Sequence, residues 1–173
     1  MENDNIILIG MAAAGKTTVG KRLARRLGWA FADTDLLMEA WWGAPLQKIK
    51  DHLGLEAFIR AEAEQVMRTF LKKCVIATGG SVVYSEPAMA HLASQGRIVY
   101  LESSYENIAR RLTNPLSRGL AIGPGQTIKD LYDERAPLYA RYAQVRVRTD
   151  EESPGQTCTA IIQALSGTIE DLS

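Results

Sequence analysis

The sequence predicts an α/β fold: three layers, α/β/α, with a central five-stranded parallel sheet. Two observations predict it. Five short apolar runs alternate with longer stretches of helical periodicity, the pattern of parallel strands joined by helical crossovers. The first run also leads directly into GMAAAGKTT, Gly10 to Thr18, which fits G-x-x-x-x-G-K-[ST] between a strand and a helix. At 173 residues the chain has the length of one domain with a substantial core.

Asn5 to Leu8 (NIIL) is a short β-branched run that reads as a buried strand. In the loop that follows, Gly10 and Gly15 allow a tight turn and close approach to an anion. The backbone N–H groups of Ala13, Ala14 and their neighbours through Thr18 then point inward to cradle phosphate oxygens. Lys16 supplies a positive charge to the β- and γ-phosphates, and the Thr17 hydroxyl can ligate Mg²⁺. Val19, Leu23 and Leu27 recur every four residues with Lys21, Arg22, Arg25 and Arg26 between them. This is an amphipathic helix that adds its positive N-terminal end to the loop, and Gly28 is placed to end it.

Trp29 to Ala32 is the second strand, followed by Asp33-Thr34-Asp35. Carboxylates two residues apart at a strand end share one side of an extended backbone, and the carboxyl ends of parallel strands are where ligands bind. One of the pair can hold Mg²⁺ through water and the other can accept a proton from an attacking hydroxyl; the other reading is a helix cap before Leu36. Leu36 to Trp42 and Pro45 to Leu53 read as two short helices. Trp41 and Trp42 are adjacent and cannot both face one core, and His52 reads as a surface residue. From Leu55 to Lys73 the pattern is helical, with an apolar stripe of Leu55, Ile59, Ala63, Val66 and Phe70. Among the charges between them, Glu62, Glu64 and Arg68 read as a solvated face.

Cys74 to Ala77 is the third strand, and the two glycines after Thr78 suggest a close backbone approach or a plain turn. Glu86 to Ser94 reads as a helix, Arg97 to Leu101 as a strand, and Ser104 to Leu112 as a helix capped by Ser104. Thr113 to Gln126 (TNPLSRGLAIGPGQ) has no periodicity and reads as a lid carrying Arg118, or else as a surface loop. Thr127 opens a helix with Arg135 on its otherwise apolar stripe, where a buried guanidinium needs a carboxylate or an anionic ligand. Val145 to Thr149 is the fifth strand, and Ser153-Pro154 opens a last helix through Leu165.

Bulk properties exclude several classes. Lys plus Arg and Asp plus Glu are 20 each, so charge gives no sign of nucleic-acid or membrane binding. No apolar run is long enough to span a bilayer, and MENDN does not resemble a signal peptide. Cys74 and Cys158 make neither a metal spacing nor a disulfide framework, so a reducing, cytoplasmic setting is the expectation; a monomer is expected as well. A nucleotide-dependent switch would carry a guanine motif of the Asn-Lys-x-Asp kind, which is missing. An inactive metabolite-binding relative stays an alternative, against which the intact Gly10 to Thr18 loop and Asp35 weigh.

The order of GxxxxGKT, Asp-Thr-Asp, a helix with F-x-R-x-E, TGG after a strand, an arginine-bearing lid and E-R-A-P-L-Y resembles the shikimate kinase family, within the P-loop, nucleoside monophosphate kinase-like folds. The resemblance runs from about Ile6 to Leu165. It implies one kinase domain with a substrate-binding helical region at about 36–62 and a lid at about 113–126. It implies ATP on Gly10 to Thr18, with Thr17 on Mg²⁺ and Asp33 behind it. Arg111 and Pro154 would flank adenine, and Arg118 would stand beside the phosphates. On the acceptor side it implies Asp35 at the reacting hydroxyl, Gly79 and Gly80 through backbone, and Arg60 and Arg135 on a small hydroxy acid. Three positions depart from the family pattern: Ser81 stands for a third glycine, Gly119 for a proline, and Ile59 for an arginine that here follows as Arg60. One residue turns a helical side chain by about 100°. These changes cluster on the acceptor side and not on the ATP side, so another hydroxylated acid such as homoserine or gluconate is the alternative acceptor.

Overall fold

The computed structural model describes residues 5–112, 120–150 and 152–170, with side chains through 166. The five strands are β1 (Asn5–Ile9), β2 (Ala30–Asp33), β3 (Cys74–Ala77), β4 (Gly96–Glu102) and β5 (Val145–Arg148). They form one parallel sheet in the order β2-β3-β1-β4-β5. β1 and β3 are buried along their whole length, which is why they read as unbroken apolar runs rather than alternating ones. β5 lies at an edge and alternates instead, with Val145 and Val147 buried and Arg146 and Arg148 exposed.

The helices are α1 (Lys16–Leu27), α2 (Thr34–Trp42), α3 (Leu46–Leu53), α4 (Leu55–Met67), α5 (Glu86–Gln95), α6 (Tyr105–Arg111), α7 (Ile128–Tyr142) and α8 (Pro154–Glu170). Gly28 ends α1 at φ 66°, and its N–H bonds back to the last turn. Ser104 caps α6, and Thr127 caps α7 in a reciprocal box with Asp130.

Two apolar clusters divide the interior. The larger holds the strands together with α1, α5 and α8, around Leu8, Leu23, Leu92 and Ile161. The smaller joins Met38, Leu46, Ile49, Phe58 and Ala121, so α2, α3 and α4 pack as a cap beside the sheet. The chain runs from β1 to one side of the sheet and later to the other, so a crevice opens above the carboxyl end of β1.

The structure corrects the reading of α4. The helix stops at Met67, and the chain then runs irregularly to Lys73, which takes a positive φ of 50°. Phe70 lies beyond the helix end and is 77% exposed, resting edge-on against the His91 ring. The side chain of Asn5 holds this connection, donating to Leu71 O at 2.6 Å and accepting from Cys74 N at 3.0 Å. Trp41 and Trp42 both lie at the surface, as does His52.

Candidate active site

The glycine loop turns between β1 and α1 in a shape its glycines require. Gly10 has φ 142°, and a Cβ there would stand 2.7 Å from Leu101 O, against the backbone of β4. Gly15 has φ 101° and directly precedes α1, so the first free N–H groups of that helix face the cleft. Ala13 also holds a positive φ of 65°, strain of the sort a ligand-binding loop retains. The cleft is about 750 Å³, and its walls include Ala13 to Thr18, Asp33 and Asp35 on one side and Arg111 and Pro154 on the other. Arg111 spans the far wall, donating to Ala13 O at 3.5 Å and Thr149 O at 3.3 Å.

Lys16 lies folded back on the loop, its Nζ donating to Gly10 O at 2.7 Å and Met11 O at 2.8 Å. Burial lowers its pKa to about 8 against the opposing pull of Asp35 and Asp33. Thr17 Oγ1 donates to Asp33 Oδ2 at 2.8 Å. The other oxygen of Asp33 accepts from Asp35 N at 3.1 Å and caps α2. The aspartate therefore caps a helix, as one sequence reading has it, and the same carboxylate holds the loop threonine. Among the described residues no three His, Cys, Asp or Glu cluster as a metal cage. One hydroxyl backed by one carboxylate suits a small hard cation that takes its remaining oxygens from phosphates and water.

A narrow cavity of about 50 Å³ adjoins the cleft and shares Ala12, Lys16, Asp35 and Leu46 with it. Phe58, Glu62, Gly80, Ser81 and Arg135 complete its walls, with Leu120 and Ala121. Gly79 is wedged at its edge: a Cβ there would stand 1.8 Å from Glu62 Oε1 and 2.6 Å from Asp35 Oδ1. Gly79 N donates to Thr34 Oγ1 at 2.9 Å, and Gly80 O accepts from the Tyr139 hydroxyl at 2.7 Å. The glycines thus sit where a side chain would fill the space between the carboxylates and Arg135.

Arg135 is 1% exposed. Its Nε donates to the Tyr84 hydroxyl at 3.0 Å and its Nη2 to Ala121 O at 2.7 Å, with the guanidinium 5.1 Å from the Tyr84 ring centre. Among the described residues no carboxylate lies within salt-bridge distance of it. A buried cation held by neutral partners at the wall of a cavity is built to receive an anion.

Sequence reasoning missed Glu62. It is 4% exposed, not part of a solvated face, and its carboxylate takes a hydrogen bond from the Ser81 hydroxyl. Burial pushes it up to about 7, with the Asp35 charge adding to the shift and Ser81, Arg135 and Lys16 opposing it. Burial likewise raises Asp35 to about 6. The missed signal was the i,i+4 step from Phe58, which places Glu62 on the same face of α4. Arg60 does not join this group: it is exposed on the opposite side of the helix. Arg118 and Gly119 lie outside the described residues.

A glycine loop at the end of β1, on a parallel sheet of this order and beside a second small cavity, defines a P-loop kinase of the nucleoside monophosphate kinase-like fold. The sequence model of the shikimate kinase family matches residues 12–166. The chain is 39% identical to a shikimate kinase of Pseudomonas paraeruginosa, covering 93% of this chain and 95% of that protein. It is 36% identical to a shikimate kinase of Shewanella denitrificans, covering 95% and 98%. Among solved structures it is similar to a shikimate kinase from Acinetobacter baumannii in complex with shikimate. That similarity has a TM-score of 0.86 at 31% identity, over 95% of this chain and 94% of that one. The chain belongs to the shikimate kinase family, and it is an ATP-dependent kinase acting on a hydroxyl group.

Proposed function

We propose that the chain transfers the γ-phosphoryl group of ATP to the 3-hydroxyl of shikimate. The observation that carries this reading is the meeting of the two cavities at Lys16 and Asp35, with the unpaired Arg135 at the far wall of the smaller one. On this reading Arg135 anchors the acceptor carboxylate on one side of the hydroxyl site, and the phosphate-binding groups lie on the other.

The residues then divide the work. The N–H groups of Gly10 to Thr18 hold the phosphates, and Lys16 swings from its loop carbonyls to the β- and γ-oxygens. Arg111 and Pro154 flank the base. Thr17 and Asp33 would hold Mg²⁺, which when bound neutralises charge on the phosphates. Asp35 accepts the hydrogen bond of the reacting hydroxyl and aims its oxygen at phosphorus; as the new P–O bond forms, the bond from the γ-phosphorus to the bridging oxygen breaks, ADP leaves, and the hydroxyl proton passes to Asp35. Arg135 grips the acceptor carboxylate in a forked pair. Gly79 and Gly80 leave the room the acceptor ring needs, and the α2–α4 cap forms the acceptor wall. Arg118, on the segment about 113–126, would add a further cation to the transferring group.

The test is ADP release from Mg·ATP with shikimate, homoserine and gluconate side by side. Stimulation by shikimate alone is the expected result. Stimulation by another acid alone moves the acceptor and keeps the chemistry, and no stimulation by any of the three rejects the reading.

A further inference from the structure

Ser81 and Glu62 are both buried, are hydrogen-bonded to each other, and have no role in the phosphate cleft. Ser81 binds only one oxygen of the carboxylate. The other, Glu62 Oε1, is buried and has no hydrogen-bond partner among the described residues. It lies against Gly79, next to Asp35 Oδ1, at the wall of the acceptor cavity. No cation pairs with Glu62 at salt-bridge distance among the described residues, and Arg60, two residues before it on α4, is exposed. An orphaned buried oxygen is costly unless a ligand answers it.

We propose that Ser81 is a positioning residue for acceptor specificity: it fixes Glu62 so that Oε1 takes the hydroxyl on the carbon next to the reacting one. This rests on the acceptor reading above. Asp35 and Glu62 meet at Gly79, so a ring that offers its reacting hydroxyl to Asp35 brings the neighbouring hydroxyl to Oε1. Ser81 is the group that sets the carboxylate's rotation. Without its hydroxyl, both oxygens are free to turn away from the cavity, while the phosphate loop and Asp35 stay where they are. The acceptor class that fits is therefore a vicinal diol carrying a carboxylate, with the carboxylate on Arg135.

The test uses the full chain with saturating Mg·ATP and two acceptors, shikimate and 4-deoxyshikimate, which lacks only the hydroxyl adjacent to the phosphorylated position. Ser81→Gly and Ser81→Ala raise KM for shikimate about tenfold, with kcat held within about twofold, as loss of a contact made equally in the ground and transition states requires. With 4-deoxyshikimate the same variants match the unaltered protein, which itself shows the raised KM. Ser81→Thr keeps a hydroxyl and restores the shikimate KM. Thermal unfolding of each variant is followed alongside. A purely structural role for Ser81 would lower activity with both acceptors alike, and that result overturns the proposal, as does an unchanged shikimate KM. Unaltered protein that turns over shikimate but does not distinguish it from 4-deoxyshikimate rejects this inference alone. Unaltered protein that turns over neither rejects the proposed function and this inference with it.

Discussion

Thr17 Oγ1 donates to Asp33 Oδ2 at 2.8 Å, so the first turn of α1 is tied to the end of β2 by one carboxylate. The same carboxylate caps α2 through Asp35 N. The orientation of the loop threonine and the start of α2 are therefore set by a single side chain.

Asp33→Ala breaks both ties. Loss of the cap costs about 1 kcal/mol of stability. The freed Thr17 hydroxyl also loses its orientation, so the Mg²⁺ concentration for half-maximal activity should rise several-fold. Thermal melts and a Mg²⁺ titration of turnover check the two effects separately. A lower melting temperature with an unchanged Mg²⁺ requirement would reduce Asp33 to a cap.

Gly79→Ala forces both carboxylates to move. The added carbon would overlap Glu62 Oε1 and press on Asp35 Oδ1, both on buried or half-buried side chains. Overpacking of this kind costs about 1–3 kcal/mol. The expected outcome is loss of acceptor-dependent ADP release with ATP affinity nearly kept, because the phosphate loop is untouched. Calorimetric titration of ATP into the variant, next to its turnover, separates the two.

The strands and the phosphate loop were legible because each is local. Continuous apolar runs report burial on both faces, and the glycine spacing reports a backbone shape that other residues cannot hold. Asp33 and Asp35 were legible for the same reason, standing at a strand end. Glu62 was not, because α4 serves two clusters at once. Phe58 packs in the small cap, whereas Ala63 and Val66 pack in the main core. A stripe drawn through Leu55, Ile59 and Ala63 averages these two faces and leaves Glu62 on the outside. The Tyr84 contact to Arg135 was equally hidden, since residues 51 positions apart meet only in the folded chain.

Tyr84→Phe keeps the ring beside the Arg135 guanidinium and deletes only the hydroxyl. A hydrogen bond to a charged group is worth about 1.5–3 kcal/mol. Here the Ala121 O contact remains, so the loss falls on orientation. The acceptor KM should rise about three- to tenfold with little change in kcat. Arg135→Ala, which removes the anchor itself, should raise the acceptor KM by a larger factor still. Steady-state kinetics on both variants give the ranking, and equal effects would mean that Tyr84 has no independent part in aiming the guanidinium.

Glu62 also sets a pH dependence of stability. Its folded-state pKa is raised to about 7 from an ordinary value of 4.5, chiefly by burial. The folded protein therefore holds the proton more tightly than the unfolded chain does. The stabilisation that follows is fully present below pH 4.5 and is lost as pH rises through about 7. Asp35, raised to about 6 by burial, acts in the same direction. Glu62→Gln replaces the titrating group with a neutral one of the same shape. Without nucleotide or acceptor, the unaltered protein should lose stability relative to Glu62→Gln between about pH 4.5 and 7, and the gap should level off above that range. Denaturant midpoints measured across pH check this. A gap that is constant with pH would mean that Glu62 titrates alike in the folded and the unfolded chain, with Ser81, Arg135 and Lys16 offsetting its burial.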